Sequence, residues 1–337
     1  MFKQNSFCKI IPNFEKSRHK GQNGKIASIG GSLEYTGAPY YAAISSLKGG
    51  GDLAYIFCTK SAAIPIKSYS PECIVYPYLL EEGEEQQLDE MINKLICQTK
   101  IMHSLIIGPG LGREQITSKI LEEIFKQNNS IKILDADALW HISQKQNKLI
   151  RIIQEKSEQF ILTPNAMEIK RLLEYFELEY IKPDYDRIIV KQQQQQFDDY
   201  QQQQRMQQDG FINYKQIVID CGYPGLMAEL SRKMNNVIIV SKGQNDIITN
   251  GKVGYAIDMV GSNKRCGGQG DILSGLIGLY SYWAQEQNID KIEGCILGSV
   301  VTRGAAKRAE NKEHFSLTTP KIIDHIGDTL YSIVCGQ

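Results

Sequence analysis

The chain has no surplus of either charge: 38 Lys and Arg stand against 38 Asp and Glu over 337 residues. No basic excess exists to draw in nucleic acid or an anionic membrane surface, so a phosphate ligand would have to be held by local groups. There is no Cys-x-x-Cys pair. The eight cysteines (Cys8, Cys58, Cys73, Cys97, Cys221, Cys266, Cys295, Cys335) are scattered and lack a neighbouring His pair, which argues against a zinc site or a disulfide framework and for reduced thiols. The opening MFKQNSFCKIIPNFEKSRHKG has no apolar leader region, and no stretch nears the roughly 18 apolar residues of a membrane span. A soluble, cytoplasmic protein is expected. The histidines (His19, His103, His141, His314, His325) form no ligand-spaced set, and none is assigned chemistry.

What is present is core material interrupted by polar loops. Hydrophobic residues make up 42% and charged ones 23%, enough for one large α/β domain or two smaller ones. The most informative stretch runs from Gly261 to Ser274, GSNKRCGGQGDILS, followed at once by an apolar segment of helical spacing (Ile272, Leu273, Leu276, Ile277, Tyr280). A glycine loop feeding a helix start lets backbone N–H groups and the helix dipole meet an anion, and phosphate is the expected guest. Asp271, in the first turn, is expected to stay ionised beside that dipole and so to be available as a base. Taken alone, the motif is equally a glycine-rich turn with an acidic first-turn residue.

The rest of the chain repeats one device, a short apolar strand that breaks into a polar loop. Lys25 to Gly30 leads to Gly30-Gly31 and an Ala-rich helix over Ala38 to Leu47. Gly49-Gly50-Gly51 stops it, and Asp52 to Cys58 completes a βαβ unit that favours a parallel sheet. A strand is expected over Cys73 to Tyr76, and a helix up to about Thr99. Ser104 to Ile107 breaks at GPGLGR (Gly108 to Arg113) before a helix over Gln115 to Phe125. Ile131 to Leu134 ends at Asp135-Ala136-Asp137, and Phe160 to Leu162 ends at Thr163-Pro164-Asn165. Loops at the carboxyl ends of parallel strands share one rim, so these should face one crevice. Gln192 to Gln208 is dominated by glutamine runs and reads as a solvent-exposed insertion or a lengthened helix, without a functional role. A helix over Gly225 to Asn235 leads to Val237 to Val240, then Asn250-Gly251 marks a tight hairpin, so the sheet turns antiparallel just before the glycine loop. Helices are expected to about Ala284, over Ile292 to Glu310, and from Thr319-Pro320.

Several residues in these loops suit phosphate or polar-ligand chemistry. Lys242, just past a buried strand, could meet a phosphate tail or be a solvated strand-end lysine. Asn165, Glu168 and Arg171 sit at helical spacing and could hold a polar ligand, with Glu168 a candidate magnesium ligand, or simply cap the helix and pair on its surface. One of Asp135 and Asp137 is expected to cap the following helix. Cys266 is read as a packed bystander rather than a nucleophile.

The combination KGQNGKIASIGGSLEYTGAPYYAA, SYSPE, GPGLGR, DADALW, LTPNAMEIKRL, SKGQNDIITNG and CGGQGDILSG resembles the ATP-dependent NAD(P)H-hydrate dehydratase family, a metabolite-repair branch of the ribokinase-like fold. The resemblance covers nearly the whole chain in family order; only the glutamine insertion at about 190 to 210 lies outside it. It implies a ribokinase-like three-layer α/β sandwich spanning residues 1–337, with a central mostly parallel sheet flanked by helices and an antiparallel hairpin near the sheet edge. It implies ATP-driven loss of water from the S epimer of hydrated NADH or NADPH. ATP (or ADP) and Mg2+ are the implied cofactors, and small molecules the implied partners, with homo-oligomerisation left open. In that family the positions matching Gly110 and Asn165, Ala166, Met167, Glu168, Ile169, Lys170 and Arg171 contact the hydrated dinucleotide. Those matching Lys242, Gly243, Gln244, Asn245 and Asp246, with Gly261, Ser262, Asn263, Lys264, Arg265, Cys266, Gly267, Gly268, Gln269 and Gly270, hold the nucleotide. Asp271 matches a residue against the substrate and is the expected catalytic base, activating the substrate hydroxyl for attack on the γ-phosphate.

The rival readings are a vitamin or sugar kinase of the same fold, which would accumulate a phosphorylated product, and a nucleotide-binding protein without catalysis. Asp271 inside an intact GGQGD speaks against the second. A Rossmann dehydrogenase is weaker still, since GPGLGR lacks the G-x-G-x-x-G register.

Overall fold

The computed structural model describes residues 6–13, 19–146, 148–190 and 214–335. The glutamine runs expected as an insertion lie outside the described residues. Strands β1 (Lys25–Ile29), β2 (Leu53–Thr59), β3 (Cys73–Leu79), β4 (Ser104–Ile107), β5 (Ile131–Leu134), β6 (Phe160–Leu162), β7 (Tyr214–Gln216), β8 (Ile238–Ser241), β9 (Asp246–Thr249) and β10 (Gly254–Ile257) form one sheet in the order β3-β2-β1-β4-β5-β6-β8-β9-β10-β7. From β3 to β8 every pairing is parallel, and the last three pairings are antiparallel.

The central strands are mostly apolar because helices cover both their faces, with Ser28, Ser104 and Lys132 buried among the apolar side chains. In β2, Ala54, Ile56 and Cys58 enter the core on one face and Tyr55 and Phe57 the core on the other, as the two-residue period of a strand requires. The result is the three-layer α/β sandwich. The chain runs outward from β1 through β2 to β3, then returns to place β4 on the other side of β1. Strand order reverses there, and the carboxyl ends of β1 and β4 open a crevice.

On one face lies the helix Gln269–Glu286, packed between the helices Gly37–Lys48 and Lys291–Glu313. A side chain at Gly275 would put its Cβ 2.2 Å from the carbonyl oxygen of Ala42, so glycine alone lets the two helices approach this closely. Because this contact also sets where the helix begins, Gly275→Ala should lower the melting temperature, at an overpacking cost of about 1–3 kcal/mol, and disturb the loop before the helix. A differential melting scan checks it.

Some elements go beyond the sequence reading, β7 among them. Lys60–Tyr69 is helical although Pro65 lies inside it; Thr59 starts it by accepting from the Ala62 N–H at 3.4 Å. β3 continues through Pro77 to Leu79, which an edge strand tolerates because it has a side without a ladder partner. Among the described residues no helix is long and apolar enough to cross a membrane.

Candidate active site

The rim loops fasten to one another through their backbones. The Gly31 N–H donates to the Gly110 carbonyl at 2.9 Å, joining the β1 and β4 loops at the point of strand reversal. The Lys242 N–H donates to the Pro164 carbonyl at 2.9 Å, joining the β8 and β6 loops. Asp137 secures the GPGLGR loop, accepting from the Gly112 N–H at 3.1 Å and from Arg113 Nε at 3.0 Å. His141, fully buried, has its Nε2 3.0 Å from the Gly112 carbonyl. The loops expected on one rim are therefore physically joined.

At their centre is a buried ion pair. Lys242 Nζ lies 2.6 Å from Asp135 Oδ1, with side-chain exposures of 19% and 2%, so water screens the pair little. Asp135 also caps the next helix, accepting from the Ala136 N–H at 2.9 Å, as one of the two aspartates was expected to do. Ala136 follows at φ 46°, a left-handed conformation costing a non-glycine residue of order 1–3 kcal/mol. That local strain sits where the chain must turn the Asp135 carboxylate toward Lys242.

Two more carboxyl groups close on this pair. Glu168 is buried, and burial pushes its carboxyl upward, with Asp135 adding to the shift and Lys242 opposing it. Asp271 is raised well above the ordinary carboxylate value, first by burial and then by Asp135 and Glu168, against the pull of Lys242. The helix dipole was expected to favour the ionised form of Asp271, and the shift runs the other way. A dipole acts weakly over one turn, whereas desolvation and two nearby carboxylates act directly on the acid. Burial would lower Lys242, but Asp135 and Glu168 outweigh it and hold the ammonium above its usual value.

The glycine loop sets this cluster beside a helix start. Gly268 takes φ 100° and ψ −10°, and the helix begins there without a side-chain cap, leaving first-turn amides for an outside acceptor. A Cβ on Gly268 would meet the Tyr41 ring at 2.7 Å, so the loop is pressed against that aromatic residue. A Cβ on Gly270 would lie 3.4 Å from Lys242 Nζ and 4.0 Å from Asp135 Oδ2, which puts the ion pair against the first turn that carries Asp271. Gln269 Nε2 stitches the loop together, donating to Ser262 Oγ at 3.1 Å, the Lys264 carbonyl at 3.2 Å and Cys266 Sγ at 3.2 Å.

The helix start at Asn165 forms a complete capping box. Asn165 Oδ1 accepts from the N–H groups of Met167 (2.9 Å) and Glu168 (3.1 Å), and Glu168 Oε2 accepts from the Asn165 N–H at 2.7 Å. The capping alternative is therefore realised. Of the remaining residues in that segment, Ile169 is fully buried, Lys170 Nζ lies 4.8 Å from the Tyr180 ring centroid, and Met167 is exposed. In the β8 loop, Asp246 is buried and bonded to Arg303 rather than facing outward. Sequence reasoning did not single out Arg303, which sits mid-helix outside any motif, nor Tyr41.

Comparison with known proteins places the chain in clear company. A family model described as NAD(P)H-hydrate dehydratase matches residues 26–210 and 222–328. An ATP-dependent (S)-NAD(P)H-hydrate dehydratase of Physcomitrium patens is 35% identical over 356 residues, covering 97% of this chain and 94% of the relative. The Homo sapiens protein of the same name is 34% identical over 328 residues, covering 94% and 80%. Among solved structures, an ADP/ATP-dependent NAD(P)H-hydrate dehydratase of Bacillus subtilis, co-crystallised with ATP and Mg2+, superposes with a TM-score of 0.58 at 18% identity over 96% of each chain. A ribokinase-like superfamily protein of Enterococcus faecalis superposes with a TM-score of 0.65 at 19% identity, covering 98% of this chain and 94% of the other. At those identities the structural likeness speaks to the fold, which is ribokinase-like.

Proposed function

We propose, on the premise that the chain belongs to the NAD(P)H-hydrate dehydratase family, that this cleft uses ATP to remove water from the S form of hydrated NADH or NADPH, restoring the dinucleotide and releasing ADP and phosphate. The observation that carries the assignment to these residues is the Lys242–Asp135 pair set against the uncapped first turn that holds Asp271. It puts a cation, free amides and a carboxyl of raised basicity in one place.

In this reading the amides of the Gly268 turn and the Lys242 ammonium take the terminal phosphates, supplying positioning and charge neutralisation, the main requirements of phosphoryl transfer. The Asp271 carboxylate takes the proton from the hydroxyl on the hydrated ring as that oxygen bonds to the γ-phosphorus and ADP departs. The carbon–oxygen bond then breaks, phosphate leaves with the electron pair, and loss of a proton from the adjacent ring carbon restores the double bond. A raised Asp271 suits this role, because a base titrating nearer the working pH takes up a proton more strongly than an ordinary carboxylate. The segment starting at Asn165 and the Gly110 loop form the dinucleotide side, through their backbone and exposed side chains.

Among the described residues no three His, Cys, Asp or Glu side chains are grouped to hold a metal ion. The described residues thus offer no metal cage of their own, and magnesium would reach the site mainly on the nucleotide's phosphates. The test is to incubate the protein with S-configured hydrated NADH and Mg2+ plus either ATP or ADP. Recovery of the reduced-nicotinamide absorbance with ATP is expected, and no recovery with either nucleotide would overturn the reading.

A further inference from the structure

Arg303 makes five hydrogen bonds, all to loop or strand residues and none to another helix. Its Nε and Nη2 grip the Asp246 carboxylate at 2.9 and 2.6 Å in a fork. Nη2 also donates to the Gly243 carbonyl at 2.8 Å, and Nη1 donates to the carbonyls of Gln244 at 2.8 Å and Met259 at 3.0 Å. One largely buried guanidinium, 13% exposed, thus fixes three residues of the KGQND loop, Gly243, Gln244 and Asp246, and the chain just before Gly261. The Gly261 backbone itself rests on Arg303: a Cβ there would lie 3.6 Å from Arg303 Cγ.

Two helical turns further along the same helix, and so on the same face, Glu310 does the same for the second loop. Its Oε1 accepts from the N–H groups of Asn263 at 2.6 Å and Lys264 at 3.4 Å, while Oε2 holds Lys307 Nζ at 3.0 Å. The Lys242–Asp246 and Gly261–Gly268 stretches are separate in sequence, and the ladder joins them only at Asp246, which pairs with Ile257 ahead of the second loop. They meet on one helix face, through one cationic and one anionic side chain that between them hold backbone groups of both loops.

We infer that Arg303, seconded by Glu310, is the positioning residue that holds these two loops together in the shape that binds the nucleotide. The inference rests on the assignment of the two loops to ATP. Lysine cannot replace Arg303 here, because an ammonium is a single point donor and cannot span a carboxylate fork and three carbonyls at once. An unheld loop would have to be ordered by each incoming nucleotide, which lowers its affinity. The hydrogen bonds of Arg303 reach neither Gly110 nor the Asn165 segment, whose tie to the held loop is the Lys242 N–H on the Pro164 carbonyl at the unclamped end, so the dinucleotide side should change far less.

The test uses the full chain with Arg303→Lys and, separately, Glu310→Ala. Hydrogen exchange should quicken in residues 243–246 and 259–264 for the first and in 261–264 alone for the second. For Arg303→Lys, calorimetry should show ATP binding weakened on the order of 10- to 100-fold, the usual penalty for displaced positioning groups, with KM for hydrated NADH and kcat at saturating ATP near wild type. Unchanged exchange in both loops would overturn the clamp. Quickened exchange with unchanged ATP affinity would overturn the assignment of these loops to the nucleotide, and an equal loss of both substrates would reduce Arg303 to general stability. If Arg303→Lys fails to fold, the half-clamp variant Glu310→Ala, with its smaller loss of ATP affinity alone, decides the question.

Discussion

Asp271→Asn should turn over hydrated NADH roughly 10²- to 10⁴-fold more slowly than the wild type, the usual worth of a positioned general base, and should nevertheless melt at a higher temperature at neutral pH. The loss of rate follows from the amide's inability to accept a proton. The gain in stability follows from the raised carboxyl: burial, Asp135 and Glu168 hold Asp271 well above the ordinary value. Between that value and the raised one, the folded protein keeps a proton that the unfolded chain has shed, so the group costs stability increasingly as pH climbs through this window. Asparagine carries no charge and incurs no such cost. The melting advantage of the mutant should therefore be absent in strong acid, grow as pH rises, and level off above the raised titration point. If Asp271 were only a first-turn residue, asparagine would serve as well and activity would survive. Melting curves across pH beside single-turnover rates separate the two.

Lys242→Met should be the most destabilising single change in the cleft. It leaves the Asp135 carboxylate, 2% exposed, buried without its counter-charge, and breaking a buried pair in this way typically costs ~3–5 kcal/mol. The same substitution removes the cation that pulls both Asp271 and Glu168 downward, leaving Arg171 as the only cation acting on Glu168, so whatever activity remains should shift its acid limb to higher pH. ATP affinity should fall as well. Chemical denaturation gives the first quantity and a pH–rate profile the second. A mutant that keeps both wild-type stability and a wild-type acid limb would mean that Lys242 is a solvated strand-end lysine after all.

The parallel half of the sheet was legible because most of its strands are buried on both faces and read as short, mainly apolar runs, several of them ended by glycine or an acid. The Asn250-Gly251 hairpin was legible for a local reason too: its turn chemistry is written in two adjacent residues. Where evidence in the sequence is not local, reading failed. Lys60–Tyr69 hid its helix behind Pro65, and β7, Tyr-Lys-Gln, shows no apolar pattern because it only borders β10. In the site, the loops were found but their electrostatics were not. The charge that governs Asp271 comes from Asp135, Glu168 and Lys242, which lie far away along the chain, so a dipole argument confined to one helix turn gave the wrong direction. Arg303 left no motif because its partners are mostly backbone carbonyls, which any sequence supplies. Ile169 shows the converse: a family segment can match residue by residue while one of its members faces the core.

The central claim is that this cleft couples phosphoryl transfer from ATP to loss of water rather than stopping at a phosphorylated product. The direct measurement is to supply ATP labelled on its γ-phosphate with S-configured hydrated NADH and to follow the label and the restored dinucleotide together. Free inorganic phosphate appearing one for one with NADH, with no labelled organic phosphate accumulating, is the predicted result. Label retained in a stable phosphorylated dinucleotide, with no restored NADH, would contradict the account and make the protein a kinase of the same fold.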